Sequence, residues 1–94
     1  MAVIERAAQI VNPLGLHARP AAEFVKIANR FTASVEVRRD DLKVNGKSIM
    51  GVMMLAAEQG STLHIRTDGS DAEAAMDALC ELVADGFHEM DLKE

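Results

Sequence analysis

The fold of this chain is decided by residues 33–45, which read ASVEVRRDDLKVN. Apolar and polar residues alternate on both sides of a central Asp-Asp pair, and aspartates are typical of turns. Alternation with a period of two predicts half-buried strands, and the turn between them predicts an antiparallel hairpin. The inward-facing positions of its first strand are Ala33, Val35 and Val37.

Two further strands and three helices are predicted around this hairpin. Alternation recurs over residues 3–11 and 62–66, whereas helical spacing of apolar residues runs over 20–31 and 70–86. Residues 48–57 predict a third, short helix that is apolar nearly all round. The element order is therefore βαββαβα. It indicates an α+β fold in which three helices cover one face of a four-stranded antiparallel sheet.

Two details mark the ends of the last helix. Ser70-Asp71-Ala72-Glu73 has the pattern of a capping box, in which the serine caps the helix and the glutamate bonds back to it. Gly86 then follows the apolar stripe and is a natural end for the helix.

Composition limits the function classes. The 94 residues are enough for a single domain, residues 1–94, and 49% of them are hydrophobic. The net charge of -5 argues against a nucleic-acid binder, which needs a basic face. Aromatic residues make up 3%, so platforms for stacking bases are missing as well. We expect a monomer that binds no nucleic acid.

No cofactor or metal site is expected. Cys80 is the single cysteine and is interpreted as a buried structural thiol. His64 and His88 lack the spacing of metal ligands and are interpreted as solvated side chains. No signal peptide and no apolar stretch of membrane-spanning length is found, so we expect a soluble cytoplasmic protein with no membrane insertion.

His17 is the candidate functional residue because of its position. It lies at the end of a loop and three residues before Pro20, which marks the first turn of a helix. Backbone N–H groups at Ala18 and Arg19 lack helical partners there and attract anions, and the Arg19 side chain adds a fixed cation. A nucleophilic imidazole beside such donors suits acceptance of a phosphoryl group. The alternative left open by spacing is a capping histidine next to a solvated arginine.

Two motifs resemble a known family. The segment GLHARP, residues 15–20, resembles the active-site signature of HPr, the histidine phosphocarrier of the bacterial phosphotransferase system. The segment GKSIMGVMML, residues 46–55, resembles the regulatory-serine segment of the same family, and the separation of the motifs also matches. The resemblance extends over residues 3–87 and implies the open-faced β-sandwich of that family.

The resemblance implies a carrier rather than an enzyme. His17 would accept a phosphoryl group on Nδ1 from enzyme I and pass it to an enzyme IIA domain, in sugar uptake or in a nitrogen-related regulatory branch. Arg19 would stabilise the charge of the group in transit. The backbone N–H groups of Ala18 and Arg19 would bind its oxygens.

Ser48 has two compatible roles. By position it is predicted to cap the short helix. By resemblance it is a site of regulatory phosphorylation by an HPr kinase/phosphorylase. The added charge at a helix N-terminus should leave the fold intact and change only the surface.

The short helix carries more apolar residues than one buried stripe needs. A helix buried all round is one interpretation of this pattern. The family favours the other, in which this helix and the region of His17 form the docking surface for enzyme I and enzyme IIA. The residues predicted to dock partners are Leu16, Ala22, Ile49, Met50 and Met53.

Two other functional classes are compatible with the sequence. One is a regulatory interaction module that acts through Ser48 and the docking residues while His17 is inert. The other is a small domain that senses a metabolite. In some relatives the chain ends shortly after the last helix, with its terminal carboxylate close to the active site. This chain continues through residues 87–94, which leaves that contact open.

Overall fold

The computed structural model describes residues 2–89. Its elements follow the predicted order βαββαβα, which is confirmed. They are β1 Ala2–Gln9, α1 Ala18–Ala28, β2 Ser34–Arg39, β3 Leu42–Asn45, α2 Ile49–Met54, β4 Thr62–Gly69 and α3 Ala72–Ala84, followed by a single turn at Gly86–His88.

The four strands form one antiparallel sheet in the order β1-β4-β2-β3. The predicted hairpin is β2 and β3, with Val37 opposite Val44 and a left-handed turn residue at Asp40. Ala33, Val35 and Val37 are buried, as their alternation predicted. One face of the sheet is covered by the helices and the other is open, which is the predicted open-faced α+β architecture.

Helix α1 buries the predicted stripe and begins two residues before Pro20. Ala21, Phe24, Val25 and Ala28 are in the core, where each large apolar side chain contributes roughly 1.5–3 kcal/mol. The predicted stripe is wrong at Phe31, which lies beyond the end of the helix and is only partly buried.

The predicted capping box of α3 is also wrong. The helix N-cap is Asp71 rather than Ser70, and the Asp71 carboxylate accepts hydrogen bonds from Thr32 N at 2.9 Å and Ala33 N at 2.8 Å. These backbone donors, Thr32 above all, lower the pKa of the Asp71 carboxyl group. The side chain therefore fixes the loop before β2 and leaves the helix to begin without it. The end of α3 matches the prediction, because Gly86 follows it with a φ of 68°.

Cys80 is partly exposed on α3, so its prediction as a buried thiol is corrected. Its partial burial raises the pKa of the thiol. Among the helices of residues 2–89, none is long and apolar enough to cross a membrane.

Candidate functional site

His17 lies at the end of a loop that is hydrogen-bonded to the segment following α2. Leu16 N donates to Ala57 O at 2.8 Å. Gly15 makes this approach possible, because a Cβ at its position would lie 2.6 Å from the same carbonyl oxygen, and its φ of 69° is one that glycine adopts readily. The sequence therefore requires glycine just before the site.

The N-terminus of α1 has open donors. His17 is the N-cap residue, and its carbonyl oxygen accepts the first helical bond from Ala21 N at 3.0 Å. Within the described residues its side chain makes no capping bond. Pro20 has no N–H, so the donors at the start of the helix are those of Ala18 and Arg19. These groups form the anion-attracting end that the sequence predicted.

The His17 ring faces a carboxylate that sequence reasoning missed. Its Nε2 lies 3.1 Å from both Oε1 and Oε2 of Glu89. The Arg19 Nε lies 3.7 Å from Glu89 Oε2, so the predicted pair of His17 and Arg19 meets at one acid. The histidine and arginine side chains are 39% and 56% exposed, whereas Glu89 is 3% exposed. The site is thus open on the side away from Glu89.

Asn12 completes the site from the buried side of Glu89, and the sequence analysis did not predict this residue either. It is fully buried, and its Nδ2 donates to Gly15 O at 2.8 Å and to Glu89 Oε1 at 3.0 Å. The available signal was a polar residue directly after the apolar pair Ile10 and Val11. Glu89 gave no local signal, because it meets His17 across 72 positions of the chain.

Ser48 caps α2, as predicted. Its Oγ accepts a hydrogen bond from Gly51 N at 3.1 Å. The helix comprises six residues, of which Val52 is buried against the core. The alternative interpretation of a helix buried all round is therefore wrong.

Helix α2 leaves its other apolar side chains exposed. Ala22 on the neighbouring helix α1 is exposed too, whereas Leu16 is 4% exposed and belongs to the core. The prediction that Leu16 offers its side chain to a partner is thus corrected. We name the exposed residues of α2 the methionine patch: Ile49 at 45%, Met50 at 73%, Met53 at 41% and Met54 at 63%.

The methionine patch lies between Ser48 and His17. Helices α1 and α2 pack together. At one end Lys47 Nζ donates to Phe31 O at 2.7 Å, just beyond the C-terminus of α1. At the other end Leu16 is bonded to Ala57, as described above. The 11 residues of α1 span about 16 Å at 1.5 Å each. Ser48 and His17 thus lie at opposite ends of one surface.

The other two histidines lie on other elements. His64 is exposed in β4 on the open face of the sheet, and His88 pairs with Asp85 after α3. Within residues 2–89 no group of three His, Cys, Asp or Glu side chains is arranged to hold a metal ion.

Comparisons with known proteins agree with this geometry. Residues 4–85 match the family model PTS-HPr, described as the PTS HPr component phosphorylation site. The chain belongs to the HPr family. It is 48% identical to the phosphocarrier protein HPr of Cupriavidus necator, over 93% of this chain and 98% of that one. The HPr of Pseudomonas putida is 54% identical over 85% and 90%. The crystal structure of HPr-C-His from Thermoanaerobacter tengcongensis superposes with a TM-score of 0.88, at 44% identity, and covers 92% of this chain and 97% of that one. HPr proteins are phosphocarriers of the phosphotransferase system, and the fold and motifs of this chain are theirs.

Proposed function

We propose that this HPr accepts a phosphoryl group on His17 Nδ1 from phosphorylated enzyme I and passes it to enzyme IIA domains. One observation carries the proposal: an accessible imidazole stands at a helix N-terminus that no side chain of the described residues caps. Its Nε2 is directed at Glu89, so Nδ1 is the ring nitrogen left for chemistry.

The surroundings of His17 suit a group that arrives and leaves. The N–H groups of Ala18 and Arg19 and the positive end of α1 stabilise a phosphoryl dianion. The Arg19 guanidinium, which is half-exposed, can reach its oxygens with forked hydrogen bonds. Because this environment is open to water, the phosphorylated state is stabilised only moderately. That suits a carrier, since tight binding would raise the barrier to onward transfer.

The methionine patch is the proposed docking surface for both partners, together with Ala22. Exposed methionines adapt to different partner surfaces at low cost, which suits a protein that meets a donor and several acceptors. The segment that follows the patch is bonded to Leu16, the residue before His17, so a partner seated on the patch would have its own active site near His17.

Ser48 is the proposed regulatory site, phosphorylated by an HPr kinase/phosphorylase. It lies at the far end of the methionine patch from His17. The length of α1 between the two ends exceeds the roughly 8–10 Å over which surface charges act at physiological salt. A phosphate carrying about two negative charges at Ser48 would therefore act on partner docking rather than on His17 itself. Enzyme I draws on phosphoenolpyruvate, a cytoplasmic metabolite, and the proposal accordingly assigns the chain to the cytoplasm.

The first experiment is intact-mass spectrometry after incubation with phosphoenolpyruvate, Mg²⁺ and a cognate enzyme I. We expect one acid-labile phosphoryl addition to the wild-type chain and none to His17→Ala. His64→Ala is the matched control, because it removes an exposed histidine far from the helix N-terminus, and it should be phosphorylated like wild type. Addition of an enzyme IIA domain should then remove the group.

Two outcomes would contradict the proposal. Phosphorylation of His17→Ala would place the acceptor elsewhere. No phosphorylation of the wild type would favour the regulatory interaction module instead. In that case Met50→Lys should still weaken partner binding. A domain that senses metabolites would instead show saturable ligand binding and no phosphorylation.

A further inference from the structure

Glu89 is a charged group buried behind the candidate nucleophile. Its carboxylate is 3% exposed, and burial of an ionised carboxylate is costly unless hydrogen bonds and opposite charges compensate. Three side chains supply them: Asn12 donates at 3.0 Å, His17 Nε2 lies at 3.1 Å, and Arg19 Nε at 3.7 Å. All three belong to the loop before α1 or to its first turn, so the carboxylate is built into the site.

The backbone before Glu89 adopts an unfavourable conformation to bring it there. Gly86, Phe87 and His88 have φ values of 68°, 57° and 63°. The left-handed region costs a residue other than glycine on the order of 1–2 kcal/mol. Burial of Phe87, which is 1% exposed, offsets that cost. The turn thus places an aromatic anchor in the core and, two residues later, a carboxylate on the His17 ring.

The chemistry of the carboxylate fixes the proton of the ring. An ionised carboxylate only accepts hydrogen bonds, and the Asn12 amide is turned so that its NH₂ group donates to it. His17 Nε2 must therefore carry a hydrogen to make its contact. In a neutral imidazole the lone pair then resides on Nδ1.

We propose that Glu89 is a positioning residue, which holds His17 in the Nε2–H tautomer with the Nδ1 lone pair directed to the open side of the site. The inference rests on the proposed carrier function and adds a residue to it. The same contact also keeps the Arg19 guanidinium beside the ring before a phosphoryl group arrives.

Glu89 also matters during transfer. The bond between phosphorus and the donor nitrogen of enzyme I breaks while a bond between phosphorus and His17 Nδ1 forms. The hydrogen on Nε2 stays in place, so no general base is required. The ring gains a positive charge as Nδ1 donates its electron pair, and the Glu89 carboxylate 3.1 Å away offsets this charge. Onward transfer reverses each of these changes.

The test measures the tautomer and the rate separately. Long-range ¹H–¹⁵N spectra of the His17 ring, taken at mildly alkaline pH where an unperturbed imidazole is neutral, report which nitrogen carries the hydrogen. We expect the Nε2–H form in the wild type and a mixture of forms in Glu89→Ala. The rate of phosphorylation by enzyme I should fall by about tenfold to a hundredfold in Glu89→Ala.

Two further variants separate charge from structure. Glu89→Gln keeps an acceptor for Nε2–H but loses the charge, so it should retain the tautomer and still be phosphorylated more slowly than wild type. It also carries the test if Glu89→Ala fails to fold. Glu73→Gln removes an exposed carboxylate from the first turn of α3 and is the matched control, with wild-type rate and spectra expected.

Either of two results would overturn the inference. One is a hydrogen on Nδ1 in the wild type. The other is a rate in Glu89→Ala and Glu89→Gln equal to that of wild type. A wild-type chain that is not phosphorylated at all would contradict the carrier function, and the spectra would still decide the tautomer.

Discussion

Helices α1 and α2 begin with residues that use the same position differently. At the start of α2, the Ser48 hydroxyl oxygen accepts a hydrogen bond from Gly51 N at 3.1 Å. At the start of α1, the His17 ring turns away from the helix toward Glu89. One cap thus satisfies its helix, and the other leaves its helix donors open.

The difference separates a stabilising cap from a binding end. A serine cap contributes about 1 kcal/mol, and α1 forgoes that contribution. In exchange its N–H groups at Ala18 and Arg19 remain available to an anion. Helix α1 tolerates this because it is longer than α2 and buries a full apolar stripe, whereas α2 has six residues and buries little.

Replacing His17, the cap residue of α1 that leaves its helix donors free, should have the largest effect, which is on phosphorylation. His17→Ser and His17→Ala both remove the acceptor and the contact to Glu89, so both should lose phosphorylation by enzyme I entirely. Only serine can cap α1, and we expect it to exceed alanine by about 1 kcal/mol in the free energy of unfolding. Urea denaturation of the two variants measures this difference. Equal stabilities would mean that the start of α1 is already satisfied.

Removing the serine cap of α2 should have a smaller effect, which is on stability. Ser48→Ala leaves Gly51 N without its acceptor and should lower the free energy of unfolding by about 1 kcal/mol, while Ser48→Asp should retain most of the stability. Ser70→Ala is the matched control, since Ser70 is exposed and lies one residue before the N-cap of α3. It should stay within about 0.5 kcal/mol of wild type. A large loss in Ser70→Ala would restore the capping box that the structure excludes.

The smallest expected effect is at the start of α3, where the contribution of Asp71 to the free energy of unfolding depends on pH. Hydrogen bonds from Thr32 and Ala33 lower the pKa of Asp71 in the folded chain. Its stabilisation is therefore complete above the ordinary aspartate pKa and is lost as pH falls through the lowered value. Asp71→Asn lacks this titration, so its stability deficit at neutral pH should shrink in acid. Urea denaturation over a series of acidic pH values tests this. A deficit independent of pH would mean that the charge is irrelevant.

The sequence predicted the elements because each of them has a local signal. The alternation of residues 33–45 predicted the hairpin, and the apolar stripes of α1 and α3 predicted their buried faces. His17 was predicted as the candidate site in the same way, from a proline and an arginine within three residues of it. Ser48 was found as a cap because the helix begins directly after it.

The remaining features depend on contacts between distant parts of the chain. Ser70 was predicted to cap α3, but the N-cap is Asp71, whose carboxylate bonds Thr32 N and Ala33 N from a distant part of the chain. Leu16 was predicted to dock partners from the family resemblance, yet its N–H bonds to Ala57 and its side chain lies in the core. Glu89 could not be predicted, since its position depends on a left-handed turn. The burial of Phe87 offsets the free-energy cost of that turn.

The pairing of β1 with β4 has a consequence for folding during synthesis on the ribosome. Every residue of β1 pairs with β4, and the loop before His17 is tied to Ala57. A nascent chain thus exposes His17 and Arg19 long before it contains the strand that supports them. Folds dominated by such long-range pairs form their contacts slowly and late. The residue proposed to receive the phosphoryl group is among the first to be synthesised, and the surroundings that position it are among the last.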